Sequence, residues 1–209
     1  MLRVYAFFAA ALLAVSAGPS LAQNVGITEA ITEARFSMNG RDFVITRNQD
    51  NTATLTGEFA RTSRQCPPFC IQPMEVARGV DTIGELELIA FLQNQVSNGT
   101  GLLIDARVPE FYGQGWIPGA VNVPFTTLAE DNPYRNDILK ALGAVELGDV
   151  LDFTNALELT IYCNGPWCQQ APIAIQTLLD AGYPAEQIKY YRGGMQDWLI
   201  LGFNTENNG

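Results

Sequence analysis

The stretch from Leu157 to Gly182 constrains the fold of this chain more than any other part of the sequence. It begins with apolar and β-branched residues that end at Tyr162, passes through Cys163 and an Asn-Gly-Pro turn, and then follows an apolar helical pattern up to Gly182. This order predicts a buried strand, a short loop and an amphipathic helix that ends at a glycine C-cap. Because unpaired backbone N–H groups converge where such a helix begins, we expect the loop to favour the thiolate form of Cys163.

The first 22 residues have the pattern of a secretory signal peptide. Arg3 precedes an apolar run from Val4 to Ala17, and small residues lead to a predicted cleavage site after Ala22. The run is shorter than a membrane-spanning helix requires, so no membrane span is expected in the mature form, although an uncleaved anchor is the alternative. We therefore expect a periplasmic or secreted protein.

Charge and composition exclude several classes of partner. The formal net charge is −10, and loss of Arg3 with the signal peptide would remove one positive charge and give −11. An acidic surface of this kind disfavours nucleic acid and anionic lipid. The sequence contains no histidine, which excludes Cys–His nucleophile pairs and His-ligated metals. No metal site and no cofactor are predicted.

Four cysteines are present, namely Cys66, Cys70, Cys163 and Cys168. In an exported chain an even number of cysteines favours disulfides over a metal site. A four-cysteine zinc site ranks low because the spacings within the two pairs are longer than the usual two residues. Cys66 and Cys70 flank a Pro-Pro-Phe segment and are interpreted as a structural disulfide clip. The alternative is a redox pair that presents one thiol to Cys163.

The sequence divides after the signal peptide into two regions. Residues 23–77 predict a small β-rich extension, with a hairpin around Asn39-Gly40, a third strand at 53–57 and the CPPFC loop. Residues 78–209 predict the main domain, in which strands and helices alternate without an internal repeat. This alternation is typical of an α/β protein with a parallel sheet.

Three runs of residues resemble signatures of the rhodanese-like family. Residues 102–125 (LLIDARVPEFYGQGWIPGAVNVPF) resemble its first signature, residues 161–183 (IYCNGPWCQQAPIAIQTLLDAGY) its active-site loop and helix, and residues 190–203 (YYRGGMQDWLILGF) its closing segment. The resemblance extends over roughly residues 78–204, and three motifs in the right order make it fairly specific.

The resemblance implies a doubly wound parallel sheet flanked by helices, and a loop cysteine that carries sulfane sulfur as a persulfide. It places that role on Cys163. Asp105 is interpreted as a structural residue, and the implied substrate-binding residues are Asn164, Gly165, Pro166, Trp167, Gln169, Arg107 and Arg192. For the two arginines the alternatives are an ion pair that organises the loops and a solvated turn residue. The implied partners are a small sulfur donor with a thiol acceptor, or a protein thiol.

Position 168 departs from the family pattern. The family commonly has an arginine five positions after the catalytic cysteine, where this chain has Cys168. Loss of that positive charge puts thiosulfate as the donor in doubt. A second thiol could instead attack a persulfide on Cys163 and release its sulfur, form a resting disulfide, or simply pack at the helix start. No arginine lies between Cys163 and Arg192, which disfavours phosphatase chemistry.

These observations predict a periplasmic sulfurtransferase that uses Cys163 and Cys168. Two alternatives come from other functional classes. One is a non-enzymatic binding module that has the same fold and is held by disulfides. The other is a periplasmic thiol-disulfide oxidoreductase.

Overall fold

Strands and helices alternate along the part of the chain that the structure describes. The computed structural model describes residues 24–207, so the predicted signal peptide lies outside the described residues. The strands are β1 (Ala34–Met38), β2 (Arg41–Ile45), β3 (Asp81–Ile83), β4 (Gly101–Asp105), β5 (Val121–Asn122), β6 (Val145–Leu147), β7 (Val150–Asp152), β8 (Glu158–Tyr162) and β9 (Ile188–Tyr191). The α-helices are α1 (Glu85–Phe91), α2 (Pro109–Tyr112), α3 (Arg135–Ala141), α4 (Gln170–Asp180) and α5 (Gly194–Ile200). A π-helical turn (Leu92–Val96) continues α1, and 3-10 turns lie at Gly57–Ala60, Phe125–Leu128 and Ala185–Gln187.

A five-stranded sheet forms the centre of the fold, with the strand order β3-β9-β8-β4-β5. Every pairing in it is parallel. The middle strand β8 pairs with β4 from Glu158 opposite Gly101 to Tyr162 opposite Asp105. Residues 159–162 of β8 are fully buried, as expected for a parallel strand covered on both faces. The predicted parallel α/β sheet is confirmed.

Two apolar layers cover the two faces of this sheet. On one face α3 and α4 contribute Leu139, Ile175 and Leu178 to a cluster that includes Ile161 of β8. The other face is covered by α1, α5 and the β1–β2 hairpin, with Trp198 fully buried among them. Helices on both faces make the sheet doubly wound, as the family resemblance implied.

The N-terminal extension contains the predicted hairpin. Strands β1 and β2 pair antiparallel with Phe36 opposite Phe43, and the two rings stack with centroids 4.9 Å apart. The turn residues Asn39 and Gly40 have φ values of 52° and 77°, which is the left-handed backbone that a tight primed turn requires. The hairpin buries its apolar side chains on the α1/α5 face of the sheet.

The third strand predicted at 53–57 is wrong. In this segment only Leu55 is partly buried, and the chain turns into the short 3-10 helix instead of pairing. A strand needs a pairing edge and a face to bury. A separate antiparallel pair, β6 with β7, was not predicted.

Within the described part of the chain, no helix is long and apolar enough to cross a membrane.

Candidate functional site

The loop between β8 and α4 holds the two cysteines at the carboxyl end of the central strand. The amide of Cys168 donates to the carbonyl oxygen of Gly165 at 2.9 Å, which closes a tight turn. The N-terminus of α5 fixes the loop from the other side. There the amide of Met195 donates to the carbonyl of Cys163 at 3.0 Å, and that of Gln196 donates to Asn164 at 2.9 Å.

Gly194 makes this close approach possible. Its φ is +55°, and a Cβ at this position would overlap the carbonyl oxygen of Cys163. Glycine alone tolerates both the left-handed backbone and the lack of space. A glycine at position 194 therefore allows the N-terminus of α5 to hold the cysteine loop.

The two cysteines are free thiols and lie beside one another. Cys163 is 1% exposed and Cys168 is 5% exposed. The sulfur of Cys163 is 3.4 Å from the carbonyl oxygen of Cys168, to which its S–H can donate. The same S–H can instead donate to the Cys168 sulfur when that sulfur is a thiolate. Backbone amides surround the pair: those of Gly165 and Ala171 act on the first sulfur.

The surroundings shift the pKa values of the two thiols in opposite directions. The hydrogen bond donated by Cys163 is the main reason why the pKa of Cys168 falls to about 7, with help from the backbone amides of Gln170 and Asn164. Burial is the main reason why the pKa of Cys163 rises well above its ordinary value, and the neighbouring Cys168 adds to the rise. The amides of Gly165 and Ala171 lower the pKa of Cys163, as expected for this loop, but burial opposes them. The lower pKa of the two lies at Cys168, because burial outweighs the amide donors at Cys163.

A buried hydrogen-bond network lies around Asp105, at the carboxyl end of β4, next to the strand that leads into the cysteine loop. Asp105 accepts hydrogen bonds from Arg107 at 2.6 Å and from the hydroxyl of Tyr162 at 2.7 Å. Arg107 also donates to the carbonyl of Gly115 at 2.7 Å, and both charged side chains are fully buried. Of the two interpretations of Arg107, the structure contains the ion pair with Asp105. Its guanidinium is engaged by Asp105, and its charge reaches the site only as a minor contribution that lowers the pKa of Cys168.

The side chain of Arg192 contacts the N-terminal extension. Its Nε donates to the carbonyl of Gln72 at 3.0 Å, and the residue does not line the cavity beside the cysteines. Arg192 therefore connects the end of β9 to the extension.

The CPPFC segment of the extension packs directly on the cysteine loop. Cys66 and Cys70 are paired as a disulfide, with their Cα atoms 4.6 Å apart. Phe69 meets Trp167 edge to face with centroids 5.6 Å apart. The amide of Gln72 donates to the carbonyl of Pro166 at 2.7 Å. The extension is therefore part of the site.

A cavity of about 250 Å³ lies between the extension and the cysteine loop. The loop and the start of α4 contribute Asn164, Trp167, Cys168, Gln169 and Gln170 to its wall. Aromatic side chains supply much of the rest, namely Phe59, Phe69, Phe111 and Phe125. Cys168 lines the cavity, whereas Cys163 lies behind it.

Three of the predicted substrate-binding residues, Asn164, Trp167 and Gln169, line this cavity, and the others do not. Gly165 and Pro166 shape the loop through their backbone groups. The sequence interpretation missed Arg64 and the four phenylalanines. The phenylalanines carry no reactive group and come from distant segments, and only Phe69 stands next to a cysteine in the sequence. For Arg64 the only signal is its charge close to Cys66.

Within residues 24–207 no group of three or more histidine, cysteine, aspartate or glutamate side chains is placed to hold a metal ion.

Fold and site together define an α/β protein with a thiol loop at the carboxyl end of the middle strand of a doubly wound sheet. A family model described as the rhodanese-like domain matches residues 88–201, which is more than half of the chain. The chain belongs to the rhodanese-like family, and the resemblance seen in the sequence is confirmed.

Known proteins similar to this chain include one curated sequence and several solved structures. The HTH-type transcriptional regulator Rv0324 of Mycobacterium tuberculosis is 30% identical over 108 residues, which cover 52% of this chain and 38% of the regulator. The chain thus matches well under half of that relative's length. A solved structure of a protein of unknown function from Rhodopseudomonas palustris, described as a possible tyrosine phosphatase, is 20% identical with a TM-score of 0.45. The match covers 63% of this chain and 89% of that protein. The human single-domain sulfurtransferase TSTD1 is 24% identical with a TM-score of 0.38, and the match covers 56% of this chain and 94% of TSTD1. Likenesses at this level carry no conclusion about activity.

Proposed function

We propose that this chain is a sulfurtransferase that carries sulfane sulfur as a persulfide on Cys163 and uses Cys168 to assist its formation and release. The observation that carries the proposal is the pair of adjacent free thiols in one amide-lined loop. Membership of the rhodanese-like family supports a reaction of the sulfurtransferase type.

The raised pKa of Cys163 requires a base before this thiol can attack a donor. Cys168 is suited to that task because its pKa is about 7 and its sulfur accepts a hydrogen bond from Cys163. The Cys163 sulfur attacks the outer sulfur of a donor R–S–SH, and its proton passes to Cys168. A new S–S bond forms on Cys163, the donor's own S–S bond breaks, and the thiolate R–S⁻ leaves with the electron pair.

The bound persulfide can be released in two ways. An acceptor thiolate attacks the outer sulfur and leaves with it, which returns the Cys163 thiolate. Alternatively, the Cys168 thiolate attacks the inner sulfur, which forms the Cys163–Cys168 disulfide and expels hydrosulfide. A dithiol reductant then restores both thiols and is itself oxidised to a disulfide. Until release, the amides of Gly165 and Ala171 stabilise the persulfide anion.

Intact mass spectrometry tests this proposal. The protein is reduced mildly, exposed to an organic persulfide and digested under non-reducing conditions. We expect one added sulfur atom on Cys163 in the wild type and none in Cys163→Ser. Cys168→Ser should load more slowly and, without an acceptor, retain the added sulfur longer. A sulfur atom found on Cys168, or no added sulfur at all, would contradict the proposal.

Thiol-disulfide exchange is a second candidate because Cys168, the thiol with the lower pKa, is the one that lines the cavity. In this reaction Cys168 attacks a disulfide of a partner, and Cys163 then resolves the mixed disulfide. Cys163→Ser would trap the mixed disulfide on Cys168, and this outcome distinguishes exchange from sulfur transfer. The free thiols of Cys163 and Cys168 do not favour a binding module locked by two disulfides.

The periplasmic location also belongs to this proposal and is supported by the signal-peptide pattern of residues 1–22. N-terminal sequencing of the exported protein should begin at Gln23. A protein that retains residues 1–22 in the membrane fraction would contradict cleavage.

A further inference from the structure

We infer that the cavity between the extension and the cysteine loop binds an uncharged aromatic thiol, which takes the sulfur from the Cys163 persulfide. The role as acceptor rests on the proposed function. The recognition of an aromatic ring does not, because it can be measured on the reduced protein without any sulfur donor.

Aromatic side chains give the cavity its affinity for a ring. Phe69 and Trp167 meet at right angles on one side, and Phe59, Phe111 and Phe125 also line the wall. Aromatic rings prefer edge-to-face or offset contacts with other rings. The volume of about 250 Å³ is below the range for drug-sized ligands, which is roughly 300–1,000 Å³, and it suits a compound with a single ring.

Charge in the cavity argues against a small anion as the preferred ligand. Arg64 is the positively charged residue of the wall. Both terminal nitrogens of its guanidinium donate to Glu58, whereas its Nε is buried without a hydrogen-bond partner. Its guanidinium lies 3.8 Å from the centre of the Trp167 ring and 3.3 Å from the carboxylate of Glu58. A bound anion would have to compete with Glu58 for this cation, whereas an uncharged ring meets no such cost.

Two buried acceptors in the wall lack a hydrogen-bond partner. Asn164 is 3% exposed, and neither its Oδ1 nor the buried Oε1 of Gln170 accepts a hydrogen bond from the described residues. An unpaired buried polar atom is costly, so a ligand that donates an O–H, N–H or S–H here gains affinity. Both residues line the cavity together with Cys168. A donor group held here therefore lies beside the thiol pair.

The first experiment measures recognition alone. Benzyl alcohol and toluene are titrated into the reduced protein, and binding is followed by NMR. Benzyl alcohol should bind more tightly than toluene, and Asn164→Ala should remove that difference. Phe69→Ala should weaken both by about tenfold because a ring contact is lost. Tyr134→Ala, which removes an exposed aromatic residue outside the cavity, should change neither affinity.

The second experiment measures the acceptor role. Protein loaded with persulfide is mixed with benzyl mercaptan or with the charged thiol glutathione, and loss of the added sulfur is followed by mass. Benzyl mercaptan should discharge the persulfide at least about tenfold faster at equal thiolate concentration. Phe69→Ala should remove this preference by slowing benzyl mercaptan more than glutathione, whereas Tyr134→Ala, outside the cavity, should leave both rates unchanged.

The outcomes separate this inference from the proposed function. Persulfide formation with equal discharge by both thiols and no binding of benzyl alcohol would overturn the inference and leave the sulfurtransferase intact. Binding of benzyl alcohol that depends on Phe69, without any persulfide, would refute sulfur transfer and keep the aromatic site. Binding without a preference in discharge would overturn the acceptor role.

Discussion

Replacement of Cys163 by alanine should raise the pKa of Cys168. In the wild type the thiol of Cys163 donates the hydrogen bond that does most to lower this pKa to about 7. Alanine removes the donor while burial, which opposes the charge, remains. We expect the pKa of Cys168 to move to the ordinary thiol value of about 8.5 or above, a change of at least about 2 kcal/mol in the cost of ionisation. At pH 7 the thiolate fraction should fall from about one half to about 3%.

The pKa of Cys168 can be read from the ultraviolet absorbance of its thiolate during a pH titration. A protein with both Cys163→Ala and Cys168→Ser provides the baseline, and mass spectrometry verifies that Cys66 and Cys70 stay bonded. Cys163→Ser is the matched variant because its hydroxyl can still donate, so its titration midpoint should remain near that of the wild type. A midpoint near 7 in Cys163→Ala would refute the reasoning. A wild-type midpoint near 8.5 would refute it as well.

Three further predictions concern stability and are measured by urea unfolding. Asp105→Ala leaves the guanidinium of Arg107 buried without its carboxylate and should cost about 3–5 kcal/mol. Asp105→Asn keeps one acceptor oxygen but no charge and should cost nearly as much; a negligible loss in Asp105→Asn would contradict the ion-pair explanation. Gly148 also has a positive φ, but the space around it is open, so Gly148→Ala should cost about 1–2 kcal/mol. Gly194→Ala should be more destabilising than this control; comparable losses would show that contact with the cysteine loop is unimportant. Ile45→Ala should lower the free energy of unfolding by about 2–5 kcal/mol in a single transition, since Ile45 is fully buried; a separate early transition would mean that the extension unfolds alone.

The sequence predicts the parts of the fold in which local pattern and buried environment agree. The run from Leu157 to Tyr162 is apolar because both faces of β8 are covered, and its pattern therefore identifies a central parallel strand. Asn39-Gly40 identifies the hairpin because few residues tolerate a left-handed backbone. The β6–β7 pair escaped prediction because its strands are short and leave apolar residues such as Leu147 exposed. Because no residue of these two strands is fully buried, their sequence shows no alternation of buried and exposed positions.

The candidate site could be predicted only where it depends on adjacent residues. The loop from Cys163 to Gln169 is continuous, and the sequence identified it as a site. The aromatic wall comes from segments that lie far apart in the chain, and no local pattern indicates that they meet. Arg107 shows a second limit, because the sequence left substrate binding and an ion pair open, and only the structure shows the buried contact with Asp105.

Edge strand β3 and the CPPFC segment both precede residue 88, where the match to the family model begins. A fragment cut at that boundary would retain both thiols but lose Phe59, Arg64 and Phe69 from the cavity wall. It would also uncover the edge of β9, since β3 pairs with that strand. An uncovered edge pairs readily with other chains, so such a fragment should aggregate. In this protein the boundary of the family match is therefore not the boundary of an independently stable domain that retains the whole candidate site.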